Sequence, residues 1–510
     1  MFSRLFSFVC CLFILVNCAE ELSPLADDGT SAFFDQDKKP FYHGVASGDP
    51  LANSVLIWTR VTPENITKIK GKWTISRNQN LSDPVKTGKF STDATRDFTV
   101  KIDVNGLTSN TTYYYQFEAL NGKSVIGRTK TSPQETDTPV KLAMVSCSNY
   151  EAGYYNAFAR IAERDDLNAV IHLGDYIYEY EPDRYGNKSL DRKHLPAKEI
   201  TSLSDYRTRY AQYRLDKDFQ KAHQMHPFIT IWDDHEVANN VFKEGAENHQ
   251  PEDGDFMSRK EAAKKAYFEW LPVRDNKTKD IYRTIHFGKT ADLILLDERL
   301  AGRTYPVDSV NQAEFHSENR SMLGEKQRNW FKEELKNASG TWKVIGNQVI
   351  FSPLDISPFG WGSPVNLDAW DGYPHERQDI CQFMEDNQIS NVIITAGDTH
   401  SSWAFEVPSN DRQKSIAIEL GTTSITSANS DEGRPVEQVL KAEKILQDKN
   451  PHLKFTNLRD HGYLILSLYS TEAIAEWYYV DKLDQPSEKE YLGKRYVIKN
   501  GQNQLRNDEK

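Results

Sequence analysis

Between Phe41 and Arg128 the apolar positions come in short runs, SVLIWTRV, GKWTIS, FTVKIDV, TTYYYQFEAL and SVIGRTK, punctuated by turn signals such as Asn105-Gly106 and Asn121-Gly122. Brief β-like segments at this spacing predict an all-β sandwich over residues 39–130. TSPQETDTP, 131–139, has the proline and polar content of a linker. Beyond it the pattern changes. Continuous apolar runs predict buried strands at 141–146, 168–173, 228–232, 292–296, 342–350, 391–396 and 415–420. Between them YNAFARIAER, SRKEAAKKAYFEWL, EKQRNWFKEEL and HERQDICQFMED read as helices, so 140–485 is expected to be a layered α/β domain. The chain as a whole is then α+β, with an α/β second domain. Loops at 181–204, 243–257 and 352–375 are long enough to be lids or solvated insertions.

The two ends carry different patterns. Residues 1–19, MFSRLFSFVCCLFILVNCA, hold one Arg, an apolar run from Leu5 to Val16 and then small residues, which is the build of a secretory signal peptide. The apolar run is shorter than the ~20 residues a membrane span needs, and no later stretch approaches that length. The mature chain is therefore expected to be secreted, extracellular or periplasmic, with no membrane span. Residues 20–38 read as a polar tether and 486–510 as a polar tail.

Composition narrows the function. The 510 residues include 38% hydrophobic and 27% charged positions, enough apolar material for packed interiors and too much for wholesale disorder. A formal charge of -12 would repel a phosphate backbone, which argues against sequence-specific nucleic-acid binding. Of five cysteines, three lie in or beside the signal; Cys147 and Cys381 remain, as a bridge or as two buried thiols.

The candidate chemistry lies just after the predicted strands: Ser146-Cys147-Ser148-Asn149, Gly174-Asp175-Tyr176-Ile177-Tyr178, Trp232-Asp233-Asp234-His235-Glu236, Asp297-Glu298-Arg299 and Gly397-Asp398-Thr399-His400. Loops at the carboxyl ends of strands in α/β folds converge on shared sites. Asp175, Asp234 and Asp398 brought together would repel one another unless cations neutralised them, so bound metal is the simplest expectation. Thiolate from Cys147 and phenolate from Tyr178 suit a strongly Lewis-acidic ion such as ferric iron. His235 and His400 serve as ligand or proton donor, and Arg299 is expected either to hold phosphate oxygens in bidentate fashion or to pair with Asp297. Trp361, Trp370 and Tyr373 either pack against a substrate alcohol or close the domain.

SCSNYEAGYYNAF, HLGDYIYEY, WDDHEVANN, LLDERLAGR and GDTHSSW, preceded by HGVASGDP and SVLIWTRV, resemble the PhoD-type alkaline phosphatases and phosphodiesterases over about residues 41–480. LTSNTTYYYQFEA likewise resembles the strand-turn-Tyr signature of fibronectin-type domains. The resemblance implies an N-terminal β-sandwich followed by a calcineurin-like metallophosphatase domain of two β-sheets flanked by helices. It implies Fe3+ with Ca2+, and small-molecule phosphate mono- or diesters as substrates. Cys147, Asp175 and Tyr178 would hold iron, with Asp175 bridging to a second cation bound by Asp234. Asp398 and His400 would complete the cluster, and His235 and Arg299 would act on the phosphoryl group while a metal-activated hydroxide attacks phosphorus in line. Where family variants often have Asp, this chain has Ala238. Two other readings are a diesterase or phospholipase selective for lipid- or nucleotide-derived esters, and an inactive secreted binding protein.

Overall fold

Strands Val140–Val145, Ala169–His172, Pro227–Thr230 and Val45–Gly48 lie parallel and side by side, every one of their residues but Lys141 buried. That burial on both faces is why their sequences run apolar without alternation. In this computed structural model, which describes residues 28–508 except 65, 66, 277 and 361, they form the centre of a ten-stranded sheet. A seven-stranded sheet has its own parallel centre, Ala291–Leu295, Trp342–Gly346, Val392–Ala396 and Ser415–Gly421. The two sheets share one apolar core in which Leu142, Ile171 and Phe228 of the first meet Leu293, Val344 and Ile418 of the second. A further core on the seven-stranded sheet is covered by helices Gly324–Asn337, Pro374–Asp386 and Val436–Lys449. The result is an α+β fold with mixed sheets between helices.

The expected boundaries shift. Within 39–130, strands Val45–Gly48, Ser54–Arg60 and Thr99–Asn105 extend the ten-stranded sheet. The remaining strands form a separate five-stranded sheet. Tyr113, Tyr115 and Phe117 of that sheet pack with Val55, Ile57 and Val100 of the larger one in a third core. The N-terminal segment is thus joined to the larger domain by backbone hydrogen bonds. Residues 28–38 of the expected tether carry two short 3-10 turns, Thr30–Phe33 and Gln36–Lys38, and Thr30 is buried. Residues 486–510 contribute Glu490–Lys499, which pairs with Glu472–Val480 along its length and buries Tyr496 and Ile498. The expected tail is a sheet strand, and the larger domain does not end at 485. The signal peptide at 1–19 and residues 20–27 lie outside the described residues, among which no helix is long and apolar enough to cross a membrane.

The helix Leu203–Tyr213, absent from the sequence reading, shows why pattern alone missed it. Its buried positions are Asp205, Tyr206, Thr208, Arg209, Tyr210, Ala211, Gln212 and Tyr213, a mixture of charged, polar and aromatic side chains in which no apolar period stands out; a capping box between Ser202 and Asp205 starts it.

Ending the chain after residue 485 should lower the urea midpoint markedly, because burial of Ile498 alone contributes about 1.5–3 kcal/mol. It also bares the edge of Glu472–Val480. An unchanged midpoint would show that the last strand is dispensable.

Candidate metal centre

The carboxyl ends of the two parallel centres meet, and the polar clusters leave them there. Cys147 follows Val140–Val145, Asp175 and Tyr178 follow Ala169–His172, and Asp233 to Glu236 follow Pro227–Thr230. From the other sheet come Asp297 to Arg299, Asn347 and Gln348, and Asp398 to His400. Ligand-type atoms lie within 4.8 Å of one another in three overlapping groups: Cys147, Asp175 and His400; Asp175, Asp234 and His235; Asp233, Asp234 and Asp398. Tyr178 joins the first through its hydroxyl, which donates to Asp175 Oδ2 (3.1 Å), lies 3.4 Å from His400 Nε2 and accepts from Ser427 Oγ (2.7 Å). The structure thus gathers Cys147, Asp175, Tyr178, Asp234, His235, Asp398 and His400 at one place.

Backbone geometry is bent to do this. Cys147, Asp175, Asp398 and His400 all take left-handed φ values, 53–60°, which side-chain-bearing residues adopt at a cost. Gly174, at φ 108°, precedes Asp175 where an added Cβ would stand 2.4 Å from Asp233 Cβ; close approach of the two loops requires glycine. Two buried glutamates clamp the loops. Glu236 accepts from the backbone N–H of Asp175 (3.1 Å), Tyr176 (2.6 Å) and Asp233 (2.8 Å). Glu298 accepts from Gln348 N (2.9 Å), Val349 N (3.0 Å) and Trp370 Nε1 (2.5 Å).

The histidines are oriented from behind. His400 Nδ1 donates to the Ala428 carbonyl (2.7 Å), leaving Nε2 toward Tyr178 and the cluster. Burial holds its pKa down at about 4, so the ring is a neutral ligand type. His235 Nδ1 donates to Glu179 Oε2 (2.7 Å), and although burial opposes charge, Asp234, Glu179 and Asp175 hold it well above the usual range. Glu179 is itself fixed by Asn239 N (2.8 Å) and Asn248 Nδ2 (2.9 Å).

The carboxylates are crowded. Burial and the neighbouring acids push Asp233 up to about 8 and Asp398 to about 7, and raise Asp175 well above the carboxylate range. Asp234 is buried too, yet Arg299, His235 and the Asn240 N–H hold it well below that range. Asp233 Oδ2 is buried without a hydrogen-bond partner.

One expectation is corrected and two alternatives are resolved. Arg299 is fully buried, and its guanidinium donates to Asp233, to Asp368 Oδ2 (2.8 Å) and to Asp398 Oδ1 (3.2 Å). It has no exposed surface with which to grip a phosphate and instead holds the acid cluster together; Asp297 turns to the Arg299 and Leu300 backbone N–H and to Trp232 Nε1. Cys147 and Cys381 are both free and buried, Cys381 in the core of helix Pro374–Asp386, so no bridge joins them. Trp370 and Tyr373 are buried and close the domain; Trp361 lies outside the described residues.

Residues 142–477 match the family model described as PhoD-like phosphatase, and residues 28–133 match that of the PhoD-like phosphatase N-terminal domain. The chain belongs to the PhoD-like phosphatase family. It is 34% identical over 445 residues to alkaline phosphatase D of Bacillus subtilis (strain 168), covering 82% of this chain and 74% of that one. A solved structure titled "Structure of PhoD" superposes with a TM-score of 0.82 at 31% identity, covering 92% of each chain. This PhoD-like phosphatase is accordingly a phosphoric ester hydrolase. Its donors fit the cations that metal-dependent hydrolysis implies: thiol, phenol, imidazole and carboxyl on one side, an all-carboxylate trio with an orphaned oxygen on the other.

Sequence reasoning missed Asp233, Glu179, Glu236, Glu298 and Asp368 as parts of this site. Asp233, Glu236 and Glu298 stand inside quoted motifs beside chosen residues, and Glu179 follows Tyr178 directly. Asp368 sits in a loop with no local signal.

Without metal, stability should fall as pH rises from about 4 to 8: unfolded Asp titrates near ~3.9, so the fold retains on Asp398 and Asp233 protons that the unfolded chain releases. With Ca2+ and iron supplied the trend should reverse, since ligands must deprotonate to bind. Tm against pH, with chelator and with metals, reads both; a rising chelator curve would show that the acids carry no such strain.

Proposed function

We propose that the protein is a secreted alkaline phosphatase or phosphodiesterase that uses Fe3+ and Ca2+ to hydrolyse phosphate mono- or diesters. The observation that carries this is the convergence of four aspartates with Cys147, Tyr178 and two histidines at the strand ends, where proximal charges from the protein itself do not neutralise them. Cys147, Asp175, Tyr178 and His400 would hold iron, and Asp234 with Asp398 and Asp233 would hold calcium, Asp175 lying between the two sets. Bound there, such cations supply Lewis acidity toward phosphoryl oxygens and activate water.

The chain's own residues do the rest. His235, held protonated by Glu179, presents Nε2 to the cluster and donates a proton toward the departing alkoxide or stabilises charge on the transferred group. Arg299 keeps Asp233, Asp368 and Asp398 in register, acting as a positioning residue. Ser427 and Asp175 orient the Tyr178 hydroxyl. Export is proposed from the signal-like pattern of 1–19, and the third core supports reading 39–130 as a fibronectin-like β-sandwich whose inner sheet is shared with the catalytic domain.

Hydrolysis of p-nitrophenyl phosphate and bis-p-nitrophenyl phosphate, each with calcium and with chelator, tests the reading beside metal analysis. Asp175→Asn should lose turnover at least 100-fold together with bound metal while its circular dichroism is unchanged. Near wild-type turnover in that variant would overturn the assignment.

A further inference from the structure

We propose that the apolar cleft beside the metal centre is a subsite for the retained apolar alkyl arm of a phosphodiester, so that this enzyme prefers a diester in which one alcohol is a long alkyl chain. The inference deepens the phosphoesterase reading and rests on it. A cavity of about 530 Å3 lies among residues 354–359, 363–368 and helix Val436–Lys449. Its walls include Leu354, Ile356, Val365, Trp403, Leu446 and Leu458. This volume and lining are those of a small-molecule site.

The occupant follows from what the cleft adjoins. Its lining also includes Asn240, Asp368 and Thr399. The Asn240 N–H donates to Asp234 Oδ2 (2.7 Å), Asp368 accepts from Arg299, and Thr399 stands between Asp398 and His400. A phosphoryl group at the acid cluster therefore has an apolar channel adjoining it. Trp403 is fixed as a wall of that channel, because its Nε1 donates to Thr399 Oγ1 (2.8 Å) and its ring stacks on Phe405 with centroids 5.8 Å apart. The cleft is thus tied to the same loop that carries two of the ligand candidates, and an ester's apolar arm is what continuity with a phosphoryl site calls for. The alkyl arm would lie along Leu354, Ile356, Trp403 and Leu458, while Ser363, Asn366, Ser430 and Arg434 line other parts of the cleft.

The test compares p-nitrophenyl methyl phosphate with p-nitrophenyl octyl phosphate, the latter below its micellar concentration, on the metal-loaded full-length enzyme. Burying methylenes contributes about threefold each in kcat/KM, so even partial insertion should favour the octyl ester at least tenfold. Ile356→Asp and Ala442→Phe, the latter at a lining position on helix Val436–Lys449, would charge and fill the cleft respectively, and each should reduce that octyl-to-methyl ratio at least fivefold, whatever they do to the methyl ester. A ratio near one in the wild type, or one unmoved by both variants, would overturn the subsite while leaving the phosphoesterase reading intact. If neither diester is hydrolysed, the diesterase part of that reading fails instead, and calorimetric binding of octylphosphonate against methylphosphonate decides the cleft. Tenfold tighter binding of the octyl compound supports it; equal binding overturns it.

Discussion

Four aspartates held within a few ångströms of one another is an arrangement that repels itself, and the local architecture answers that repulsion. Arg299 is the main proteinaceous reply: a fully buried guanidinium whose fork reaches acids from three separate loops. A lysine would offer a point charge and could not span Asp233, Asp368 and Asp398 together. Arg303, also buried, pairs with Asp368 from the other side, so the loop that forms one wall of the apolar cleft is anchored to the charge centre. His235 adds a third positive group, its charge sustained by Asp234, Glu179 and Asp175. Two guanidiniums and one imidazolium do not balance this many acids, and the surplus shows as carboxyl groups with pKa values pushed up to about 7 and 8. Cations complete the balance, which links metal binding to folding stability and to proton release.

The same demand explains the backbone. Loops that leave two sheets must turn sharply to bring donor atoms into one small volume, and Cys147, Asp175, Asp398 and His400 take left-handed conformations to do it. Such strain persists only where the surroundings over-determine it. Here Glu236 ties the Asp175 and Asp233 loops through three N–H groups, and Glu298 ties the 347–349 turn to Trp370. These glutamates accept hydrogen bonds from backbone that would otherwise be buried unpaired, so they stabilise the loops even though their own burial is unfavourable.

How much of this could be read from the chain depends on how local each signal is. Seven buried strands were visible because parallel strands covered on both faces run continuously apolar. The candidate donors Cys147, Asp175, Tyr178, Asp234, Asp398 and His400 were visible because each lies just after such a run. Arg299 was visible as a residue and misread in role: a guanidinium after a strand suggests phosphate, and only three-dimensional placement shows its donors already committed to Asp233, Asp368 and Asp398. Asp368 could not have been found, since it lies about seventy residues from Arg299 in sequence, in a loop of no regular pattern. The strand Glu490–Lys499 was hidden for a related reason. Its exposed positions, Tyr491 and Leu492 among them, interrupt the alternation that Tyr496 and Ile498 would otherwise show.

Rigid sheets also account for a site that is both highly charged and flanked by an apolar cleft. The acids sit at strand ends where the backbone is fixed by ladder hydrogen bonds, and this lets them be held close against their repulsion. The cleft is built mostly from a long loop, anchored to the charge centre at Asp368, and the helix Val436–Lys449, elements that lie outside the ladders. Trp403 connects the two regimes: it belongs to the strand Ser402–Pro408, just after the Asp398–His400 turn, and its side chain is a cleft wall. Charge handling is thus assigned to the sheets and recognition of the ester to the loops. Substitutions in the cleft should therefore alter which ester is accepted without dismantling the centre that cleaves it.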